Sequence, residues 1–143
     1  PVEMQILGEY NISNSLAAIA TIQQIAGNTI AEIIQALSFF ETIKGRMEVV
    51  QKAPFMVIVD FAHTPNALEN ALKSAKALLK DNNKLISVFG CAGKRDKDRR
   101  NMGKVASQMA QLVILTAEDP RNEDLKDINN EIFSRAVNAQ LVA

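Results

Sequence analysis

A chain of 143 residues, 48% hydrophobic and 22% charged, is long enough to bury one core and too apolar to be disordered, so it reads as about one globular domain. Its 16 Lys and Arg balance 16 Asp and Glu, which removes the net field that would recruit nucleic acid or an anionic membrane and leaves only local patches. No apolar run approaches the roughly 18 to 20 residues needed to span a bilayer. The single cysteine, Cys91, closes no intrachain disulfide, suits a reducing compartment such as the cytoplasm, and excludes a Cys-rich metal site. Pro1-Val2-Glu3 lacks a basic region followed by an apolar one and carries no initiating Met, so a piece of a longer protein is expected.

Val2 to Leu7 alternates weakly and is expected to be a strand, with Gly8 to Asn11 as a turn. Helical periodicity follows, with Leu16, Ile19, Ala20 and Gln23 on one stripe, Ile22 and Ile25 beside it, and Gly27 as the stop. Thr29 with Glu32 reads as a capping box for a second helix whose apolar face is Ile30, Ile33, Ile34 and Leu37. From Gly45 the pattern changes. Met47 to Gln51 and Phe55 to Val59 read as strands too close around Pro54 for a parallel crossover, hence antiparallel. Then come a helix over residues 65–80 capped by Thr64, with Leu68, Leu72, Ala75 and Leu79 inward, and a strand over 85–89. A helix over 101–111, a strand over 112–116 and a last helix over 125–137 capped by Asp124 complete the order. Strands alternating with helices of this length predict an α/β fold with a mostly parallel sheet and flanking helices.

The unusual residues gather after strand ends, where open α/β sheets put their chemistry. Residues 60–65, 90–100 and 117–124 are three such loops, expected at one rim. In the first, Asp60 accepts hydrogen bonds and His63 donates to anions, so both suit ligand binding; the competing reading is helix capping with a partly buried His. Two such ligands without a third make no closed metal site. The second loop places Gly90 and Gly93 before five cations and two acids. Glycines let backbone amides approach an anion and the cations can clamp phosphate or carboxylate, unless this is a solvated charge run. It does not fit the P-loop pattern, and Cys91, whose only possible His partner lies on another loop, reads as a packing residue. In the third loop Glu123 and Asp124 fit capping and the helix dipole. Arg121 has no structural requirement there and suits a bidentate grip on a carboxylate.

Asn11-Ile12-Ser13-Asn14 with Ala17-Ala18, Gly45-Arg46-Met47-Glu48, Asp60-Phe61-Ala62-His63-Thr64-Pro65, Phe89-Gly90-Cys91-Ala92-Gly93 with Arg95-Asp96-Lys97, and Asp119-Pro120-Arg121 occur in one order along the chain. In that order they resemble the Mur ligases, and among these the branch adding the third residue of the peptidoglycan stem. The resemblance implies a UDP-sugar domain, a central ATPase domain with a P-loop, and a C-terminal Rossmann-like domain. Residues 1–44 then resemble the tail of the central ATP-binding domain and 45–143 the C-terminal domain, truncated at its end. The P-loop and magnesium ligands are not among these residues, so the fragment is not expected to catalyse alone.

The family's chemistry uses ATP and magnesium to phosphorylate the carboxylate of UDP-N-acetylmuramyl-L-alanyl-D-glutamate, after which the amine of diaminopimelate or lysine attacks the acyl phosphate. Such a reaction rests on positioning and on stabilising negative charge. Carried over by motif, the resemblance puts Asn11 and Asn14 near the adenine, Arg46 near the nucleotide, Asp60 near its ribose and His63 on the same side of the cleft. It gives Arg95 and Arg121 the carboxylate of the incoming amino acid, with Asp119 beside it. A cytoplasmic monomer with no metal ligand of its own, no nucleic acid and no membrane partner is implied. Three positions depart from the family pattern: Asp119 stands where diaminopimelate-adding members show Asn, Ala92 where Gly is usual and Lys94 where Asp is usual. A carboxylate in place of an amide favours an ammonium and repels a carboxylate, whereas retention of Arg121 favours diaminopimelate over lysine. Rival readings are a cyanophycin or folylpolyglutamate synthetase type of ligase, or a noncatalytic nucleotide-binding module.

Overall fold

The structure, a computed structural model, describes residues 4–80, 82–137 and 140–142, the last three by their backbone. It divides into two compact units, Pro1–Phe61 and Ala62–Ala143.

The first unit opens on helix α1 (Tyr10–Ala26), which ends where Gly27 takes a left-handed φ of 66°, a conformation that glycine adopts without steric cost. The strand expected over Val2–Leu7 is not formed at residues 4–7, and residues 1–3 lie outside the described residues. Asn11 explains this: its amide donates to the Leu7 carbonyl at 2.7 Å and its N–H to Gly8 at 3.0 Å, so the segment winds into the start of α1. Helix α2 (Ile30–Ser38) carries the expected capping box. Thr29 Oγ1 accepts from the Glu32 N–H at 3.3 Å and Glu32 Oε2 accepts from the Thr29 N–H at 2.8 Å. Of its predicted face only Ile33 is fully buried, and no residue of α1 is. Strands β1 (Glu48–Gln51) and β2 (Val57–Val59) pair antiparallel, as their spacing required, with Val49 opposite Ile58 and an irregularity before Gln51.

In the second unit, helix α3 (Pro65–Ala77) starts on Thr64, whose hydroxyl accepts from the Ala67 N–H at 3.3 Å, with Pro65 in the first turn. It stops three residues before the expected Lys80, and Ala75 and Leu79 are half-buried. Strands β3 (Ile86–Phe89), β4 (Leu112–Leu115) and β5 (Gln140–Val142) form a parallel sheet in that order. The strand β5 has no counterpart in the sequence reading. Between β3 and β4 the chain runs through a 3-10 helix (Lys97–Asn101) into helix α4 (Met102–Met109), so helical structure begins four residues before Asn101. Helix α5 (Leu125–Ser134) is capped by Asp124, whose carboxylate accepts from the Lys126 N–H at 2.7 Å.

The core joins Leu68 and Leu72 of α3 to Phe89, Val113 and Leu115 of the sheet, Met102 and Ala106 of α4, and Ile128 and Ile132 of α5. Alternation along β3 buries Ser87 and Phe89 and leaves Ile86 and Val88 exposed. Helices α4 and α5 approach at Gly103, where a methyl group would run into the Ile132 carbonyl oxygen and come within 2.8 Å of its Cγ2. This packing carries the loops after β3 and β4 side by side.

Candidate functional site

Glycine joins these two loops. A methyl group at Gly90 would strike the Thr116 carbonyl oxygen and lie 2.9 Å from the Glu118 nitrogen, and one at Gly93 would strike the Pro120 carbonyl oxygen. The Gly93 N–H donates to the Asp119 carbonyl at 2.8 Å. The sequence suggested glycines that open amides to an anion; here they let two backbones touch, and the Gly93 amide is already committed.

Around that contact, cations take unusual backbone conformations. Lys94 and Arg121 are left-handed, with φ of 53° and 52°, a region that bulky residues seldom occupy. Lys94 is held there by its N–H, which donates to Glu123 Oε2 at 2.8 Å. Arg95 follows, exposed. On the facing loop Arg121 Nε meets Asp119 Oδ2 at 3.3 Å in an exposed pair. Arg95, Asp119 and Arg121 thus sit on two loops in direct contact.

Arg100 was not distinguished from its neighbours by the sequence, yet its side chain is only 2% exposed. Its Nη1 donates to the Ala92 carbonyl at 3.3 Å, Nη2 to Glu123 Oε1 at 3.3 Å and Nε to Glu131 Oε2 at 3.4 Å. Two acids eight residues apart on and before α5 were the available signal, but Arg99 and Arg100 are equivalent until the backbone is placed. Arg99 turns the other way, its Nη1 donating to the His63 carbonyl at 3.0 Å, so the half-buried His63 is tied to the second loop through its backbone. Cys91 is 2% exposed and its thiol lies against the Arg99 carbonyl and Met102. Burial pushes the thiol pKa up, which opposes thiolate formation and fits the packing role.

The Lys94 amide holds the Glu123 carboxyl below the usual carboxylate range, with Arg100 acting the same way, and Lys97 does so for Glu131, again with Arg100. Carboxyls with lowered folded-state pKa contribute stability that is present above the unfolded value of about 4.3 and is lost as pH falls through the lower folded values. Melting temperature followed from pH 7 downwards should therefore hold steady until about pH 4 and then drop. In Glu123→Gln that drop should be shallower; an identical acid limb would remove Glu123 from the linkage.

Asn11, Asn14, Arg46 and Asp60 belong to the first unit. The Asn14 amide donates to Asn11 Oδ1 at 2.9 Å. One Asp60 oxygen accepts from the Met47 N–H at 2.8 Å, so this carboxylate also fixes the entry to β1, and Arg46 lies 4.8 Å from the centre of the Phe61 ring. Tyr10, expected in a turn but the first residue of α1, joins them. Its hydroxyl pKa is raised by burial and by Asp60 and is pulled back by Arg46 and a hydrogen bond to Asn11. One polar cluster therefore contains all four residues with Tyr10.

Residues 45–142 match the family described as Mur ligase, glutamate ligase domain. The chain belongs to the Mur ligase family. It is 35% identical over 94% of its length to a UDP-N-acetylmuramoyl-L-alanyl-D-glutamate--2,6-diaminopimelate ligase from Chlamydia felis. It is 42% identical over 90% of its length to the ligase of the same name from Synechocystis. The chain spans 28% and 26% of those two relatives. Among solved structures, a ligase with that diaminopimelate title matches 99% of this chain and 29% of its own at a TM-score of 0.63 and 33% identity. The folylpolyglutamate synthase of Mycobacterium tuberculosis complexed with ADP matches 99% of this chain and 32% of its own at 0.78, and at 20% identity it shows the shared fold. In Mur ligase terms the Rossmann-like expectation holds. The parallel sheet is three-stranded, and β1 and β2 form a separate antiparallel pair.

Magnesium is expected with this family's nucleotide. Among the described residues no group of three His, Cys, Asp or Glu could hold a metal ion.

Proposed function

We propose that this chain is the acceptor-holding part of an ATP-dependent Mur ligase that joins a diamino acid to UDP-N-acetylmuramyl-L-alanyl-D-glutamate in the cytoplasm. Residues 1–44 would be the tail of the central ATP-binding domain and 45–143 most of the C-terminal domain, working as a monomer without nucleic acid or membrane. The observation that carries this reading is the direct contact between the loop bearing Arg95 and the loop bearing Asp119 and Arg121, made by the Gly93 to Asp119 hydrogen bond.

Those two loops offer both signs of charge to a zwitterion. Arg121 and Arg95 would take its carboxylate, and Asp119 would take an ammonium group. The Asp119–Arg121 pair is exposed on both sides and so contributes little by itself, which lets an incoming carboxylate replace it at low cost. Diaminopimelate, with two zwitterionic ends, suits this better than lysine. Orientation of the amine towards an activated carboxyl group is the whole contribution asked of these residues, and positioning of that kind accounts for much of the rate in acyl transfer. The nucleotide-binding part of the proposal is Asn11 and Asn14 near the adenine, Arg46 near the nucleotide and Asp60 near the ribose, all four in the first unit, with His63, in the second unit, as a further nucleotide-side residue.

Phosphate release by the complete ligase should appear with UDP-N-acetylmuramyl dipeptide, ATP and diaminopimelate, and remain at background with lysine, ornithine or aspartate. Turnover with lysine alone would reverse the acceptor assignment. Silence across the panel from folded, ATP-binding protein would overturn the ligase reading.

A further inference from the structure

The loop from Gly90 to Asp96 contains no helix or strand, and beside the Gly93 to Asp119 hydrogen bond it has a second tie to the third loop. A clamp built on the buried Arg100 supplies that second tie. Glu123 reaches across from the third loop with both oxygens used, Oε2 on the Lys94 N–H at 2.8 Å and Oε1 on Arg100 at 3.3 Å. Arg100 returns to the second loop through the Ala92 carbonyl at 3.3 Å. The closed circuit runs from Glu123 to Lys94, back along the chain to Ala92, to Arg100 and again to Glu123. Lys94 sits inside it in a left-handed conformation and Arg95 is the next residue.

We propose that Glu123, clamped by the buried Arg100, is a positioning residue that sets Arg95 against Asp119 and Arg121 and thereby the acceptor affinity. This rests on the acceptor reading given under Proposed function. In this proposal Glu123 acts through the Lys94 N–H and Arg100 through the Ala92 carbonyl, and neither acts on the acceptor directly. Glu131 provides the internal comparison. It also pairs with Arg100, at 3.4 Å, but its other bond goes to Lys97 at 2.7 Å, outside the residues that carry the acceptor charges.

The test uses the complete ligase carrying Glu123→Gln or Glu131→Gln, with two readouts. Steady-state kinetics gives the Michaelis constants for acceptor, ATP and nucleotide sugar. Backbone hydrogen exchange over residues 92–96 reports the clamp without any turnover. Glu123→Gln should raise the acceptor constant about tenfold with the other two within about twofold, and should speed exchange at Lys94. Glu131→Gln should leave the ratio of the three constants unchanged. Faster exchange with unshifted constants, equal rises in all three, or the same split in Glu131→Gln would each overturn the proposal. If the unaltered ligase accepts no diamino acid, the acceptor reading fails instead, and exchange at Lys94 still decides whether Glu123 holds the loop.

Discussion

Arg100→Ala should lower the stability of the folded chain by about 3 kcal/mol, read as a fall in the midpoint of equilibrium urea unfolding. Removing one member of a buried ion pair costs about 3 to 5 kcal/mol because the remaining charge is stranded. Here the value belongs at the lower end. The Glu123 and Glu131 side chains keep 22% and 33% exposure and can turn towards water when the guanidinium is gone, whereas Arg100 itself is 2% exposed. Its buried stem is lost as well, and part of the cost is packing. Arg100→Met separates the two, since it restores most of the stem without the charge. A loss below about 1 kcal/mol in Arg100→Ala would mean that the clamp behaves as an ordinary surface pair.

The second large effect concerns binding. Arg121→Ala in the complete ligase should raise the apparent Michaelis constant for the acceptor amino acid by about 2 to 3 kcal/mol, or roughly 30- to 150-fold, with that for ATP nearly unchanged. A charged hydrogen bond to the acceptor carboxylate would be removed, and Asp119 would be left without the partner it has at 3.3 Å. The second consequence works in the same direction, because an unpaired Asp119 repels the carboxylate more strongly. Equal changes for acceptor and ATP would rule out this placement. Loss of stability is not expected to mimic the result, since the Asp119–Arg121 pair is exposed and contributes little to folding.

Much of the fold was legible because it rests on local rules. Thr29 with Glu32, Thr64 before Pro65, Asp124 before an apolar run and Gly27 after one each mark a helix boundary through their own hydrogen-bonding or backbone geometry. The antiparallel pairing of β1 and β2 followed from a linker too short for a crossover. Errors arose where a side chain redirected the backbone. Asn11 pulled the Leu7 segment into a helix start, and Asp96, accepting from the Asp98 N–H at 3.0 Å, began a 3-10 helix four residues early. The strand β5 was missed because three residues hold too little period to register, and its pairing with β4 is a property of the sheet.

The candidate site divides the same way. Residue type and the family resemblance together proposed Asn11, Asn14, Arg46, Asp60, His63, Arg95, Asp119 and Arg121, since both depend on the order of residues along the chain and not on packing. The sequence by itself therefore determined the order of the five helices and of β1 to β4, the caps and the family. Tertiary structure alone decided that Gly90 and Gly93 serve contact between loops, that Asp60 also anchors β1, and that Arg100 rather than Arg99 is buried between Glu123 and Glu131. The reason is physical: caps and periodicity act over a few residues, whereas burying a guanidinium requires acceptors 8, 23 and 31 residues away to converge on it, which occurs only once the sheet and helices are packed.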